Sequence, residues 1–240
     1  MKKYAAVLAV LLALVFAVPA HGGSRYDPVG ETFSGVNAPY LLAGGEVSSD
    51  EFFTDADLAS ARLTMINVWD STCANCRYEL PFFQQAYEEY SRCGFNMVGV
   101  ASHLLGSTDY VGSAEMVEEF GLTYTQVVMD TGIGAISNNV GFVPHTFLVD
   151  GTGEVIAFFG GFHTYEQVEK AVVSRLALPG DADCDGVLTM MDVSLVSGVV
   201  LNSATLSPLG TICADYDNSG NITMSDVSIL YAVLMNATEH

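Results

Sequence analysis

The sequence predicts an α/β sandwich of three layers followed by a small all-α unit. Three observations predict it. Apolar runs of strand length alternate with helix-like stretches over most of the chain. Two cysteines separated by two residues, Cys73 and Cys76, stand where one such run hands over to a helix-like stretch. Beyond Pro179-Gly180, residues 181–202 recur as residues 215–236, an offset of 34 residues.

Composition sets the frame. The chain has 240 residues, enough for one medium domain plus a small one, and 50% are hydrophobic, enough for a real core. A formal net charge of −20 argues against nucleic acid and anionic membranes as partners. It reads as a solubilising acidic surface, part of which has a local job near the C-terminus. Residues 1–20 read as a secretory signal: Lys2 and Lys3, an apolar run over 5–18, then Val18-Pro19-Ala20 before His21. The run is short for a membrane span, and no Cys follows it to take a lipid. The expectation is an exported protein, soluble once cleaved, working where disulfides persist.

In chain order, residues 38–48 read as a hairpin with Gly44-Gly45 at the turn. The apolar stretch 63–68 and Trp69 read as a buried strand, residues 82–92 as a helix, and residues 95–101 as a parallel neighbouring strand. A helix follows over 113–120, a strand over 125–129 and a short helix over 134–138. Residues 146–149 and 154–159 flank Asp150-Gly151-Thr152-Gly153 as an antiparallel hairpin. Thr164, with Gln167 three residues on, opens a last helix running to about Leu178.

The cysteine pair carries the chemistry. Cys73 falls at a helix N-terminus, where free N–H groups and the macrodipole favour an anion. Its thiolate should be favoured and its nucleophilicity raised. Cys76, one turn on, is placed to attack a mixed disulfide formed at Cys73. Haem attachment would need His where Arg77 stands. A zinc site would need a second close pair, which the sequence lacks. A structural bridge over so short a loop would stabilise little. Glu79 lies near the same helix face. It is either an acid that manages the Cys76 proton or an exposed first-turn acid complementing the dipole. Cys93 is roughly 25 Å along a continuous helix from Cys76, so it cannot resolve that pair and reads as a half-buried free thiol. His103, His145 and His163 show no partner and read as structural.

The stretch Trp69-Asp70-Ser71-Thr72-Cys73-Ala74-Asn75-Cys76-Arg77-Tyr78-Glu79-Leu80-Pro81, with Gly141-Phe142-Val143-Pro144-His145-Thr146-Phe147-Leu148-Val149-Asp150-Gly151 downstream, resembles the TlpA-like or ResA-like branch of the thioredoxin superfamily. The resemblance covers residues 27–178. It implies a thioredoxin-like three-layer sandwich and dithiol–disulfide exchange without an organic cofactor. Cys73 attacks, Cys76 resolves, and the two form a disulfide when oxidised. It also implies Glu79 as the proton-handling acid, a cis Pro144, and Trp69 and Val143 on the substrate side. Thr72 departs from the Trp that many members carry, which changes the substrate-facing surface.

The C-terminal repeat contains two twelve-residue acidic loops. In the first, Asp181, Asp183 and Asp185 occupy positions 1, 3 and 5, Gly186 the turn, Val187 the carbonyl position and Asp192 the last. In the second they are Asp215, Asp217, Ser219, Gly220, Asn221 and Asp226. Hard oxygen ligands at alternate positions suit Ca²⁺, one ion per loop. Paired EF-hand-like loops ending in Asp, each followed by a helix and with no helix entering, resemble a dockerin module over residues 180–237. That resemblance implies a cohesin partner on a scaffoldin or cell surface, as in a cellulosome. Met190 and Met191 in the first repeat match Met224 and Ser225 in the second and are expected on the binding face, possibly usable in two orientations; alternatively the methionines pack between the helices. A Cys184–Cys213 disulfide is expected to join the two loops.

The sequence therefore reads as a secreted thiol–disulfide oxidoreductase on a calcium-dependent docking module. Its rivals are a non-catalytic thioredoxin-fold adaptor and a thiol peroxidase. Ala74-Asn75 between the cysteines leaves the direction of exchange open, and export without a membrane anchor tilts it toward oxidation or isomerisation.

Overall fold

The structure, a computed structural model, describes residues 26–102 and 110–237; the signal sequence expected at 1–20 and His103 lie outside them. The first part is built from β1 (Asn37–Leu41), β2 (Val47–Thr54), α1 (Asp55–Ala59), β3 (Leu63–Trp69), α2 (Ala74–Tyr90), β4 (Phe95–Ala101), α3 (Tyr110–Glu119), β5 (Thr125–Val128), α4 (Thr131–Ser137), β6 (His145–Asp150), β7 (Val155–Gly160) and α5 (Tyr165–Leu176). One seven-stranded sheet runs in the order β2-β1-β5-β4-β3-β6-β7. β3, β4 and β5 are parallel, while β6 pairs antiparallel with both β3 and β7.

β3 is covered on both faces, and all seven of its residues are buried. Alternation divides them. Leu63, Met65 and Trp69 join Leu80 and Phe83 of α2 and Val168 and Val172 of α5. Ile66 and Val68 join Leu58 of α1 and Ile133 and Ile136 of α4. Helices therefore cover both sides of the sheet, as the sequence predicts.

Local expectations differ from the structure in three places. α2 begins at Ala74 and runs through Pro81, well before the helix expected from residue 82. Proline usually breaks a helix interior. Here buried Leu80 and Phe83 on either side of it hold the helix against the sheet. α1 was not expected; Thr54 and Asp57 close its first turn as a capping box, with Thr54 N–H donating to Asp57 Oδ2 at 2.7 Å. α5 does open with the expected Thr164–Gln167 box, and ends at Leu176.

The second part contains α6 (Met190–Val200), α7 (Pro208–Ala214) and α8 (Met224–Ala237). Val193, Val196, Val227 and Leu230 build a small core of their own with Ala182 and Ala214. α7 corrects the expectation that no helix enters either loop. Pro208 opens it, and Ser207 caps it by accepting from Gly210 N–H at 3.0 Å. Leu209 and Cys213 of α7 share the larger cluster with Leu63 and Phe95. Arg62 reaches across: Nη1 lies 3.6 Å from Asp181 Oδ2, and Nη2 donates to Leu176 O at 3.0 Å. Among the described residues no helix is long and apolar enough to cross a membrane.

α4 approaches the strand before β1 closely. A Cβ at Gly132 would lie 2.6 Å from Gly35 O and 2.7 Å from Val36 Cα, both backbone atoms that cannot swing aside. Gly132→Ala should therefore lower stability by about 1–3 kcal/mol. Urea unfolding followed through the single tryptophan, Trp69, which is buried in this domain, measures it; an unchanged midpoint refutes the close approach.

Candidate functional site

The site forms where β3 ends. Cys73 N–H donates to Asp70 O at 3.0 Å, closing a turn. Asp70 Oδ1 steadies that turn, accepting from Thr72 N–H at 2.8 Å and Thr72 Oγ1 at 2.7 Å. The turn delivers Cys73 as the N-cap of α2, and Cys76 N–H donates to Cys73 Sγ at 3.1 Å. Cys73 and Cys76 form a disulfide, with Cα atoms 5.3 Å apart. Cys73 is 8% exposed and Cys76 0%, so a substrate meets Cys73 first. Arg77 turns to α3, pairing with Glu119 and lying 5.1 Å over the Phe120 ring.

The second wall is the loop before β6. The Val143–Pro144 peptide bond is cis, as expected. Val68 pairs with His145, so Pro144 lies just past the end of β3 from which the cysteine loop leaves. Val143 is half-buried and packs on the cluster that contains both cysteines. His145 fastens this loop. Burial pulls its imidazole down to about 4, so the ring is neutral. Nδ1–H donates to Phe142 O at 2.6 Å, which leaves Nε2 to accept from Ser137 Oγ at 2.9 Å. Trp69 corrects the sequence reading. It is fully buried in the core beneath the site and cannot face a substrate, because its position on β3 alternates onto the side that α2 covers.

Glu79 is fully buried, which removes the exposed, dipole-complementing alternative. Asn67 Nδ2 donates to its Oε1 at 2.9 Å, and His163 N–H to its Oε2 at 3.2 Å. Desolvation outweighs both hydrogen bonds and pushes the carboxyl up to about 8. Sequence reasoning missed both partners. Asn67 is a polar residue inside an apolar strand, a signal open to reading. His163 lies 84 residues from Glu79, and nothing local marks it.

The acidic loops fold as the repeat implies in part. Carboxylate oxygens of Asp181, Asp183 and Asp185 come within 4.8 Å of one another, as do those of Asp215, Asp217 and Asp226. Gly186 and Gly220 take φ +87° and +86°, the left-handed turn each loop needs. Asp181 Oδ1 is buried and has no hydrogen-bond partner, an acceptor that a cation would fill. Asp192 stands outside the first cluster. Its Oδ1 accepts from Ala182 N–H at 2.8 Å and its Oδ2 from Thr189 N–H at 2.8 Å. Val187, Ser219 and Asn221 are exposed at their expected loop positions. Met190, Met191 and Met224 are 50%, 60% and 53% exposed, and Ser225 is exposed beside them, so these methionines do not pack between the helices. The expected Cys184–Cys213 disulfide is not formed; both are free thiols, as is Cys93. Cys184 adopts φ +64°, and its thiol bonds to Cys93 and Ser207 instead.

No family model matches the chain. Curated relatives do. The thiol:disulfide interchange protein HelX of Rhodobacter capsulatus is 30% identical over 155 residues, 60% of this chain and 82% of HelX. The thiol-disulfide oxidoreductase ResA of Geobacillus kaustophilus is 29% identical, over 55% of this chain and 78% of ResA. A solved structure of a secreted Mycobacterium tuberculosis disulfide oxidoreductase is 20% identical, covers 57% of this chain and 94% of its own, and has a TM-score of 0.46. The chain belongs to the thiol–disulfide oxidoreductases of thioredoxin fold, in the TlpA/ResA-like branch.

The raised Glu79 carboxyl sets a pH dependence. Folded Glu79 holds its proton up to about 8, whereas the unfolded chain releases it near the model value of 4.5. Between those limits the native state binds more protons, so its stability falls as pH rises. Glu79→Gln should remove that slope, leaving the variant relatively more stable at pH 8 than at pH 5, by on the order of a few kcal/mol. Denaturant midpoints of both proteins across pH 5–9 check this; parallel curves would show Glu79 ionised throughout.

Proposed function

We propose that this protein is an exported enzyme that exchanges disulfides with protein substrates and is tethered by a calcium-dependent dockerin to a cohesin-bearing scaffold, as in a cellulosome. The observation that carries the exchange reading is that the cysteine capping α2 is the more accessible of a bonded pair. In the reduced enzyme, Cys73 thiolate attacks a substrate disulfide. A mixed disulfide forms and one substrate thiolate leaves. Cys76, having lost its proton, attacks Cys73 Sγ, which releases the second substrate thiol and closes the Cys73–Cys76 disulfide. The oxidised enzyme runs the same steps in reverse. The N–H of Cys76 that reaches Cys73 Sγ favours the Cys73 thiolate. Glu79, one helical turn beyond Cys76 and titrating near neutrality, takes and returns the Cys76 proton. Val143 offers backbone groups to the substrate chain, and Pro144, lacking an N–H, leaves room for it.

Calcium fits the acidic loops. Asp181, Asp183 and Asp185 would hold one ion with the Val187 carbonyl. Asp215, Asp217, Ser219, Asp226 and the Asn221 carbonyl would hold the other. Asp192 would need to turn from its backbone donors to join the first set. The bound ions would neutralise each acidic cluster and hold the loops in shape. Exposed Met190, Met191 and Met224, with Ser225, form an apolar face suited to a partner groove. Export is supported by the leader-like residues 1–20 and by the disulfide.

Two experiments test the proposal. Without reductant, Cys76→Ser should accumulate mixed disulfides with substrate proteins, whereas Cys73→Ser should trap none; equal trapping by both overturns the assigned order. In the full chain, chelator should abolish binding to immobilised cohesin and leave exchange by the sandwich intact. Cohesin binding that survives chelator would remove calcium from the docking reading.

A further inference from the structure

Cys93 follows α2 and belongs to the sandwich, whereas Cys184 lies in the first acidic loop. Their thiols hydrogen-bond to one another. Ser207 Oγ stands 3.6 Å from Cys93 Sγ and 3.4 Å from Cys184 Sγ. Both cysteines are buried, at 1% and 3% exposure, and Cys213 is buried in the same cluster. Each part of the chain thus contributes one sulfur to a single water-excluded site.

We infer that Cys93 and Cys184 form a second redox pair, whose disulfide staples the acidic C-terminal unit to the oxidoreductase domain. Free buried cysteine often acts only as a small hydrophobe. Here two thiols from separate cores already touch, in a chain whose chemistry is disulfide exchange. Passing from hydrogen-bond contact to a bond of about 2 Å needs only a small shift of two side chains. The Cys93–Cys184 bond also closes a longer loop than Cys184–Cys213 would, so it restricts the unfolded chain more. The surroundings favour it. Arg62 ties Asp181 and Leu176 together beside the site, and Leu209 packs in the same cluster, so the acidic loop is seated where the bond forms.

The oxidant is another disulfide: that of a small molecule such as oxidised glutathione, or the Cys73–Cys76 bond of a second copy. One of the two thiols attacks it as thiolate and forms a mixed disulfide, releasing one thiol. The other then attacks that bond, releases the second thiol and leaves Cys93–Cys184. Two thiols are oxidised, one disulfide is reduced, and two protons pass to the released thiolates. Because both sulfurs are buried when the units are docked, the exchange takes place as the acidic unit opens or first settles.

The sequence makes the test direct. Trypsin leaves Cys73 and Cys76 together between Arg62 and Arg77, places Cys93 in residues 93–170, and finds no Lys or Arg beyond Arg175, so Cys184 and Cys213 share residues 176–240. The full chain, reduced and then equilibrated with oxidised glutathione in calcium, is alkylated and digested without reductant. Mass spectrometry should find residues 93–170 joined to 176–240, and the joined species should be lost on reduction and absent from Cys93→Ser. A bond internal to residues 176–240, or three alkylated thiols, overturns the inference. A joined species that persists in Cys93→Ser overturns it as well.

Discussion

A hydrogen bond between the central strand and the helix that carries the cysteines holds this structure to its function. β3 is buried on both faces, so an unpaired polar group on it would cost on the order of 1–3 kcal/mol. Asn67 is that polar group. Its Nδ2 donates at 2.9 Å to Glu79 on α2 and at 3.0 Å to Thr146 on β6. Strand, helix and the strand after the cis-proline loop meet at one amide. Moving any of them leaves a buried donor or acceptor without a partner, so the site geometry and the fold stand together.

Glu79 is the other half of that constraint. A carboxyl so deeply buried would be expelled or permanently neutral without donors. Asn67 and the His163 N–H offset part of the desolvation and leave it titrating near 8. The same burial serves structure below that pH and makes the group available for proton transfer near it. His145 shows the contrasting outcome. Its two ring nitrogens are engaged by Phe142 O and Ser137 Oγ, and it stays neutral as a fastener of the proline loop.

The C-terminal unit is not an independent bead on a string. Leu209, Cys184 and Cys213 enter the same apolar cluster as Leu63, Phe95 and Cys93, while Val193, Val196, Val227 and Leu230 keep a separate small core. Arg62, at the threshold of β3, reaches Asp181 of the first acidic loop. The two parts are joined at the end of the sheet where β3 begins, and the cysteine pair sits at the opposite end. A partner can therefore be held through the exposed methionines without covering Cys73.

Local patterns determined much of this by themselves. The all-apolar run around Asn67 fits only a central strand, Cys-x-x-Cys after it fits a helix start, Thr164 with Gln167 fits a cap, and Gly186 and Gly220 fit left-handed turns at a fixed repeat. Each rests on backbone chemistry within a few residues, which a chain carries in its order. Tertiary structure decided what depends on residues far apart. It drew α2 through Pro81, buried Trp69 away from substrate, supplied His163 to Glu79, turned Asp192 onto backbone donors, and set Cys184 against Cys93 instead of Cys213. Those outcomes come from packing and desolvation at contacts between distant segments, whose strength exceeds any single local preference and whose partners no spacing in the sequence announces.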